Sequence, residues 1–242
     1  MPKSAASWGR YAQTLLDFVV EAEALRRSRN RTVVTTTHSV LVRYIGSMGS
    51  IRSVCVFCGS RVGRDSGHRA LARHFGEILA NAKVRLVYGG GSIGLMGVLA
   101  DAVLAAGGQV TGVIPDFLDR IEVGHRTLTD LAVVGSMHER KAVMFEQSGA
   151  FVVLPGGLGT LDETIEIITW RQLGLHDKPI LLVNHEGYWD PLVALLDHTV
   201  TEGFAGENTR RLFGVVNTVR DVLPALAAEG KAATAAAPAQ VL

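Results

Sequence analysis

The stretch that decides the fold is Val84–Pro115, VRLVYGGGSIGLMGVLADAVLAAGGQVTGVIP. An apolar run at 84–88 enters a glycine-rich loop, a helical pattern follows at 95–106, and a second apolar run occupies 109–114. Strand, loop, helix and strand at this spacing make a βαβ unit, whose parallel strands need helices on both faces. The same alternation continues on either side. Candidate strands lie at 53–58, 84–88, 109–114, 131–135, 150–154, 179–184 and 212–217. Helical patterns lie near 66–81, 95–106, 137–147, 160–173, 189–202 and 219–228. The expected fold is therefore α/β: a doubly wound, Rossmann-like parallel sheet of about seven strands with helices on both faces. Its ligand site belongs beyond the carboxyl ends of the strands.

Composition narrows the class. The chain has 242 residues, 48% of them hydrophobic, with a formal charge of +1, which is too apolar for a wholly disordered protein. Two cysteines cannot staple a domain of this size or make a four-cysteine zinc site. Cys55 and Cys58 form a CxxC inside the strand-like run SVCVFC, where residues three apart face opposite ways, so both are expected to be buried and inert. The 27 glycines follow no three-residue period and should sit in loops. No apolar run approaches the roughly 20 residues that span a bilayer, and Arg10, Asp17 and Glu21 interrupt the N-terminal segment, so no signal peptide is expected. A cytoplasmic protein that binds no membrane follows as the expectation.

Charge also marks a boundary. Residues 1–53 carry 8 basic and 3 acidic side chains, and the remainder carries 16 basic and 20 acidic ones. Residues 1–47, with an amphipathic pattern from Trp8 to Leu25, are expected to be a dispensable extension. The domain should run over 48–229, and the Ala-rich residues 230–242 should form a flexible tail. The acidic balance of the domain argues against a nucleic-acid partner.

Two glycine-rich loops fall where a strand passes into a helix. Gly89 to Gly97 reads GGGSIGLMG, and Pro155 to Thr160 reads PGGLGT. Glycines let backbone N–H groups approach an anion, and a following helix adds the positive end of its dipole. Gly90, Gly91, Ser92, Gly94 and Gly156 are thus phosphate-loop candidates. No acidic residue ends the strand VTGVIP, which counts against NAD, and the Walker A pattern is absent. Arg140 and Lys141 open a helical stretch after the fourth strand, where a cationic pair can clamp an anion. Thr160-Leu161-Asp162-Glu163 fits the S/T-x-x-E capping box, so spacing alone leaves Glu163 open between capping and catalysis. No His, Cys and carboxylate set has metal-ligand spacing, and neither a metal nor a cofactor is expected.

The segments SMHERKAVM, LPGGLGTLDE and ITWRQLGLHDKPI, with VCVFCGS and GGGSIGLMG, resemble the LONELY GUY (LOG) family of cytokinin-activating phosphoribohydrolases from about Val54 to about Leu226. The resemblance implies hydrolysis of the N-glycosidic bond of cytokinin riboside 5′-monophosphates to free base and ribose 5-phosphate. It implies Glu163 and Arg140 as catalytic residues. Glu122, Lys141, Gly157, Leu158, Gly159, Thr160, Leu161, Asp162 and Thr169 are implied as substrate-binding. It also implies a homodimer formed through the region around ITWRQLGLHDKP. Family members often carry a lysine decarboxylase label, for which no pyridoxal-phosphate lysine with its partners is evident here. Two other readings remain open: a broader AMP or purine nucleotide nucleosidase, and a molybdenum-cofactor or nucleotide carrier that binds without hydrolysis.

Overall fold

The computed structural model describes residues 51–122 and 124–235. The expected helix within residues 1–47 and the end of the tail lie outside the described residues.

Seven parallel strands form one sheet: β1 (Ser53–Phe57), β2 (Arg85–Tyr88), β3 (Val110–Pro115), β4 (Asp130–Val134), β5 (Ala150–Val153), β6 (Ile180–Val183) and β7 (Gly214–Val216). The spatial order is β4-β3-β2-β1-β5-β6-β7. The chain therefore starts at the centre, winds outward to β4, and crosses back to add β5 beside β1. Val54 pairs with Leu86 on one side and with Ala150 on the other. The winding reverses between β1 and β5, where an open α/β sheet leaves a crevice at its carboxyl edge.

The connections are α1 (Ser66–Asn81), α2 (Gly94–Ala105), α3 (Asp116–Glu122), α4 (Met137–Glu146), α5 (Leu158–Gln172) and α6 (Asp190–Thr201), and α7 (Val222–Ala235) follows β7. Sequence periodicity missed α3. Its DFLDRIE is two turns with no apolar stripe, and Asp116 and Asp119 at its start with Arg120 at its end complement the helix dipole instead. α7 continues to Ala235, beyond the expected domain end at 229.

Alternation along the strands feeds two cores. Val54, Val56, Leu86 and Tyr88 pack against Phe75 and Leu79 of α1, Leu99 of α2 and Leu226 of α7. Cys55, Phe57, Val87 and Phe151 face the other way, toward Met144 of α4, Ile167 and Ile168 of α5 and Leu192 of α6. Helices thus cover both faces. Each fully buried aliphatic or aromatic side chain contributes about 1.5–3 kcal/mol. Cys55 and Cys58 are buried, unbonded and divided between the two cores, as strand geometry requires. Burial pushes both thiols up, with the nearby Glu163 carboxylate adding to the effect. No helix among the described residues is long and apolar enough to cross a membrane.

Candidate active site

Three loops meet at the carboxyl edge beside the β1/β5 crevice. Gly59, just past β1, donates its N–H to Pro155 O (3.1 Å) and accepts from Leu95 N (2.9 Å) and Met96 N (3.4 Å). One residue thereby ties the loops after β1, β2 and β5 together. Gly94 has φ +66°, and a Cβ there would overlap the Ser60 backbone, so the glycine is required by the loop packed on it. Two N–H groups at the start of α2 are engaged by Gly59 O and are closed to a ligand. On its other side the same loop is covered by the segment after α3: Gly91 bridges Gly124, and His125 N donates to Gly90 O (3.0 Å). Gly90, Gly91 and Gly94 are thus shaped by contacts with protein.

The loop after β5 is different. Gly157 is the N-cap of α5 and supplies no side-chain hydrogen bond to the helix start. A Cβ at Gly157 or Gly159 would meet nothing within 4 Å, and Leu158 is 85% exposed. The start of α5 is thus uncovered at Gly157–Gly159, and an uncovered helix start carries unpaired N–H groups and the positive end of the dipole, the features that suit an anion. Thr160 and Glu163 lie inside the helix, three and six residues past the cap, so they form no capping box. Thr160 O instead accepts from Thr164 Oγ1 (2.6 Å). A variant of the capping pattern operates one helix earlier, where Oγ of the N-cap Ser136 accepts from Glu139 N (3.1 Å) and Glu139 Oε2 accepts from N of the preceding Gly135 (2.7 Å).

That cap sets the start of α4 and aims Arg140 back over the sheet. The guanidinium donates through Nε to Val113 O (3.2 Å) and through Nη2 to Gly89 O (3.5 Å), at the ends of β3 and β2. Nη2 also lies 3.5 Å from Glu163 Oε1, each side chain being about 10% exposed. Burial pushes the Glu163 carboxyl up to about 7, while Arg140 and Lys141 pull it down and Asp162 and Glu166 push it up. The product is a carboxyl group that holds or releases a proton near neutral pH, beside a guanidinium group.

Lys141 turns the other way. Its Nζ pairs with Asp162 (2.7 Å) and Glu166 (3.0 Å) of α5. Burial lowers its pKa, but these two carboxylates outweigh that and hold it above the ordinary lysine value. The pair therefore clamps α4 to α5. Glu166 escaped the sequence reading, although its place four residues after Asp162 marks one helix face. Thr169 continues that face, is exposed, and donates to Ile165 O (2.7 Å). Leu161 is half-buried and packs on the core under α5. Ser92 sits in the loop between β2 and α2. Glu122 closes α3, and its side chain lies outside the described residues. Among those residues no group of His, Cys, Asp and Glu is arranged to hold a metal. Tyr188 was also overlooked: its hydroxyl donates to Gly156 O (2.6 Å) from a residue 32 positions away.

The fold and this site define a Rossmann-like domain with an acid–cation pair beside an open, glycine-capped helix start. A family model described as "Possible lysine decarboxylase" matches residues 96–226. A probable cytokinin riboside 5′-monophosphate phosphoribohydrolase of Oryza sativa subsp. japonica is 52% identical over 67% of this chain and 71% of its own length. A cytokinin riboside 5′-monophosphate phosphoribohydrolase of Rhodococcoides fascians is 47% identical over 72% of this chain and 89% of its own. The chain belongs to the LOG family, whose members carry these names. The molybdenum cofactor carrier protein of Chlamydomonas reinhardtii, 18% identical, superposes with a TM-score of 0.55 over 73% of this chain and 96% of that one, and shares the fold.

Proposed function

We propose that this chain hydrolyses the N-glycosidic bond of cytokinin riboside 5′-monophosphates, giving the free cytokinin base and ribose 5-phosphate. The observation that carries the reading is the buried Glu163, its carboxyl pushed up to about 7, held 3.5 Å from Arg140 beside the open start of α5. The names of the relatives support the same substrate.

The 5′-phosphate sits on the N–H groups of Gly157, Leu158 and Gly159, with Gly156 and Thr160 shaping the loop. The loop of Gly90, Gly91, Ser92 and Gly94 supports it from the side. Binding there contributes energy remote from the broken bond. As the C1′–N bond breaks, its electron pair leaves with the base and the sugar becomes oxocarbenium-like. The Glu163 carboxylate stabilises that cation and takes a proton from the attacking water, whose oxygen forms the new bond to C1′. With its pKa near neutrality Glu163 can return the proton to the departing base. Arg140 orients the carboxylate and the ribose phosphate and transfers no proton. Glu122 and Thr169 are assigned to substrate contact, and Lys141 with Asp162 holds the start of α5 in place.

The decarboxylase wording of the family model does not extend to this site. A Schiff-base lysine needs a neutral amine, whereas Lys141 is held charged between two carboxylates. We read the working form as a cytoplasmic homodimer, a second copy covering the exposed Ile165 and Leu173 at α5 and Leu195 on α6.

The test is to incubate the purified protein, without added metal, with isopentenyladenosine 5′-monophosphate and separately with AMP, following free base and ribose 5-phosphate. Release from the prenylated substrate well above AMP supports the reading. Equal release from both indicates a broader nucleotide nucleosidase, and binding without release indicates a carrier.

A further inference from the structure

We propose that Tyr188 is a positioning residue that locks the Gly156–Gly157 peptide so that its N–H, and not its carbonyl, faces the phosphate. The inference rests on the phosphate reading of the α5 loop and deepens it. The Tyr188 hydroxyl donates to Gly156 O at 2.6 Å. That carbonyl and the Gly157 N–H belong to one planar trans peptide, in which C=O and N–H point in opposite directions. Pinning the oxygen on Tyr188 therefore fixes the N–H on the opposite side. Glycine on both sides of the peptide leaves little steric resistance to its turning over, so the direction must be imposed from outside. A reversed peptide would present a carbonyl oxygen where an anion is to bind, exchanging attraction for repulsion.

The residues around Tyr188 hold the phenol in place. Its ring is braced edge-on by His68 (centroids 5.5 Å apart) and by Trp189 (4.8 Å). The backbone turn leading into it is firmly tied. Asn184 Oδ1 accepts from Trp189 N, and Asn184 Nδ2 donates to Asp190 Oδ1, both at 2.7 Å. Gly187 has φ +75°, and a Cβ there would lie 2.6 Å from Asp190 Oδ2. Glu186 adopts φ 52° and ψ 33°, a left-handed conformation that persists in a residue with a side chain where surrounding contacts enforce it. A turn held this tightly, delivering one hydroxyl to one carbonyl across the mouth of the site, is what a positioning role requires.

The experiment compares the full chain with Tyr188→Phe, which keeps the ring and removes the hydroxyl. For isopentenyladenosine 5′-monophosphate the KM, and for inorganic phosphate the inhibition constant, should rise together by about five- to tenfold. The kcat and the inhibition constant of the phosphate-free nucleoside isopentenyladenosine should stay unchanged. Unchanged KM and phosphate inhibition, or an equal loss for the nucleoside, would overturn the proposal. A separate readout is the Gly157 amide resonance during titration with inorganic phosphate. A phosphate-induced shift in the wild type that is lost in Tyr188→Phe supports the lock, and no shift in the wild type overturns it. Absence of turnover by the wild type would sink the proposed hydrolase activity while leaving this amide test decisive for the lock.

Discussion

The guanidinium of Arg140 occupies the space that a side chain on Gly89 would fill: a Cβ built there overlaps Arg140 Nη2, and Gly89 O accepts a hydrogen bond from that same nitrogen. The first glycine of GGGSIGLMG is therefore a seat for the cation that faces Glu163. Gly89→Ala should displace the guanidinium and lower kcat/KM on the order of 10²-fold, as roughly 1 Å misplacements do. Steady-state kinetics with circular dichroism as a folding control checks this. Wild-type rates in the folded variant would show that the position of Arg140 does not matter.

Removing the titrating group separates chemistry from binding. Glu163→Gln should cut turnover by about 10²–10⁴-fold while nucleotide affinity, measured by calorimetry, changes little. The proposed mechanism has the ionised carboxylate accept the water proton, so kcat/KM of the wild type should rise with pH through about 7, and this limb should vanish from the residual activity of the variant.

The same group makes a stability prediction of defined sign. The folded-state value of Glu163 is raised from 4.5 to about 7, so between those values the native state binds more protons than the unfolded chain. Its contribution to stability therefore falls as pH rises across that window and stays low above it. Glu163→Gln should be more stable than the wild type at pH 8, by on the order of 1–3 kcal/mol, and unfold at a correspondingly higher temperature, but nearly together with it at pH 4.5. Thermal scans at the two pH values decide the matter.

Lys141 influences Glu163 from outside the reacting atoms. With Lys141→Met, Asp162 and Glu166 lose their shared cation, and the Glu163 carboxyl loses one of the two charges that pull it down. The acidic limb of the pH profile should move to higher pH, with a stability loss of about 1 kcal/mol. An unmoved limb would show that Lys141 serves only to fasten α4 to α5.

One prediction concerns the scaffold alone. α1 ends in a Schellman arrangement, Lys83 N donating to Ala80 O (3.0 Å) and Val84 N to Leu79 O (2.9 Å), with Lys83 at φ 57° where glycine is favoured. Lys83→Gly should stabilise the protein by about 0.5–1 kcal/mol without altering catalysis, as urea unfolding and an activity assay can show.

Much of the architecture was legible because it rests on short-range pattern. Seven apolar runs of strand length, separated by helical periods, specify a parallel sheet, and the opposite facing of Cys55 and Cys58 follows from the two-residue repeat of a strand. The short α3 was not legible, since two turns without an apolar stripe leave no periodic signal. Nor could pattern say which S-x-x-E or T-x-x-E sequence caps a helix. Ser136–Glu139 and Thr160–Glu163 share the motif, and the true start of α5 at Gly157 decides between them.

The sequence by itself determined the order of the seven strands and of every helix but α3, the placement of glycine loops at strand ends, and the presence of Arg140 and Glu163 at the starts of helical stretches. Only the tertiary structure decided that they meet. It also decided that Gly59 closes the start of α2 while the start of α5 stays open, and that Tyr188 reaches Gly156 from 32 residues away. The physical reason is range. Strand and helix signals arise between neighbours along the chain, whereas the raised Glu163 carboxyl results from removing water on every side at once. That desolvation depends on elements distant in sequence packing around one group.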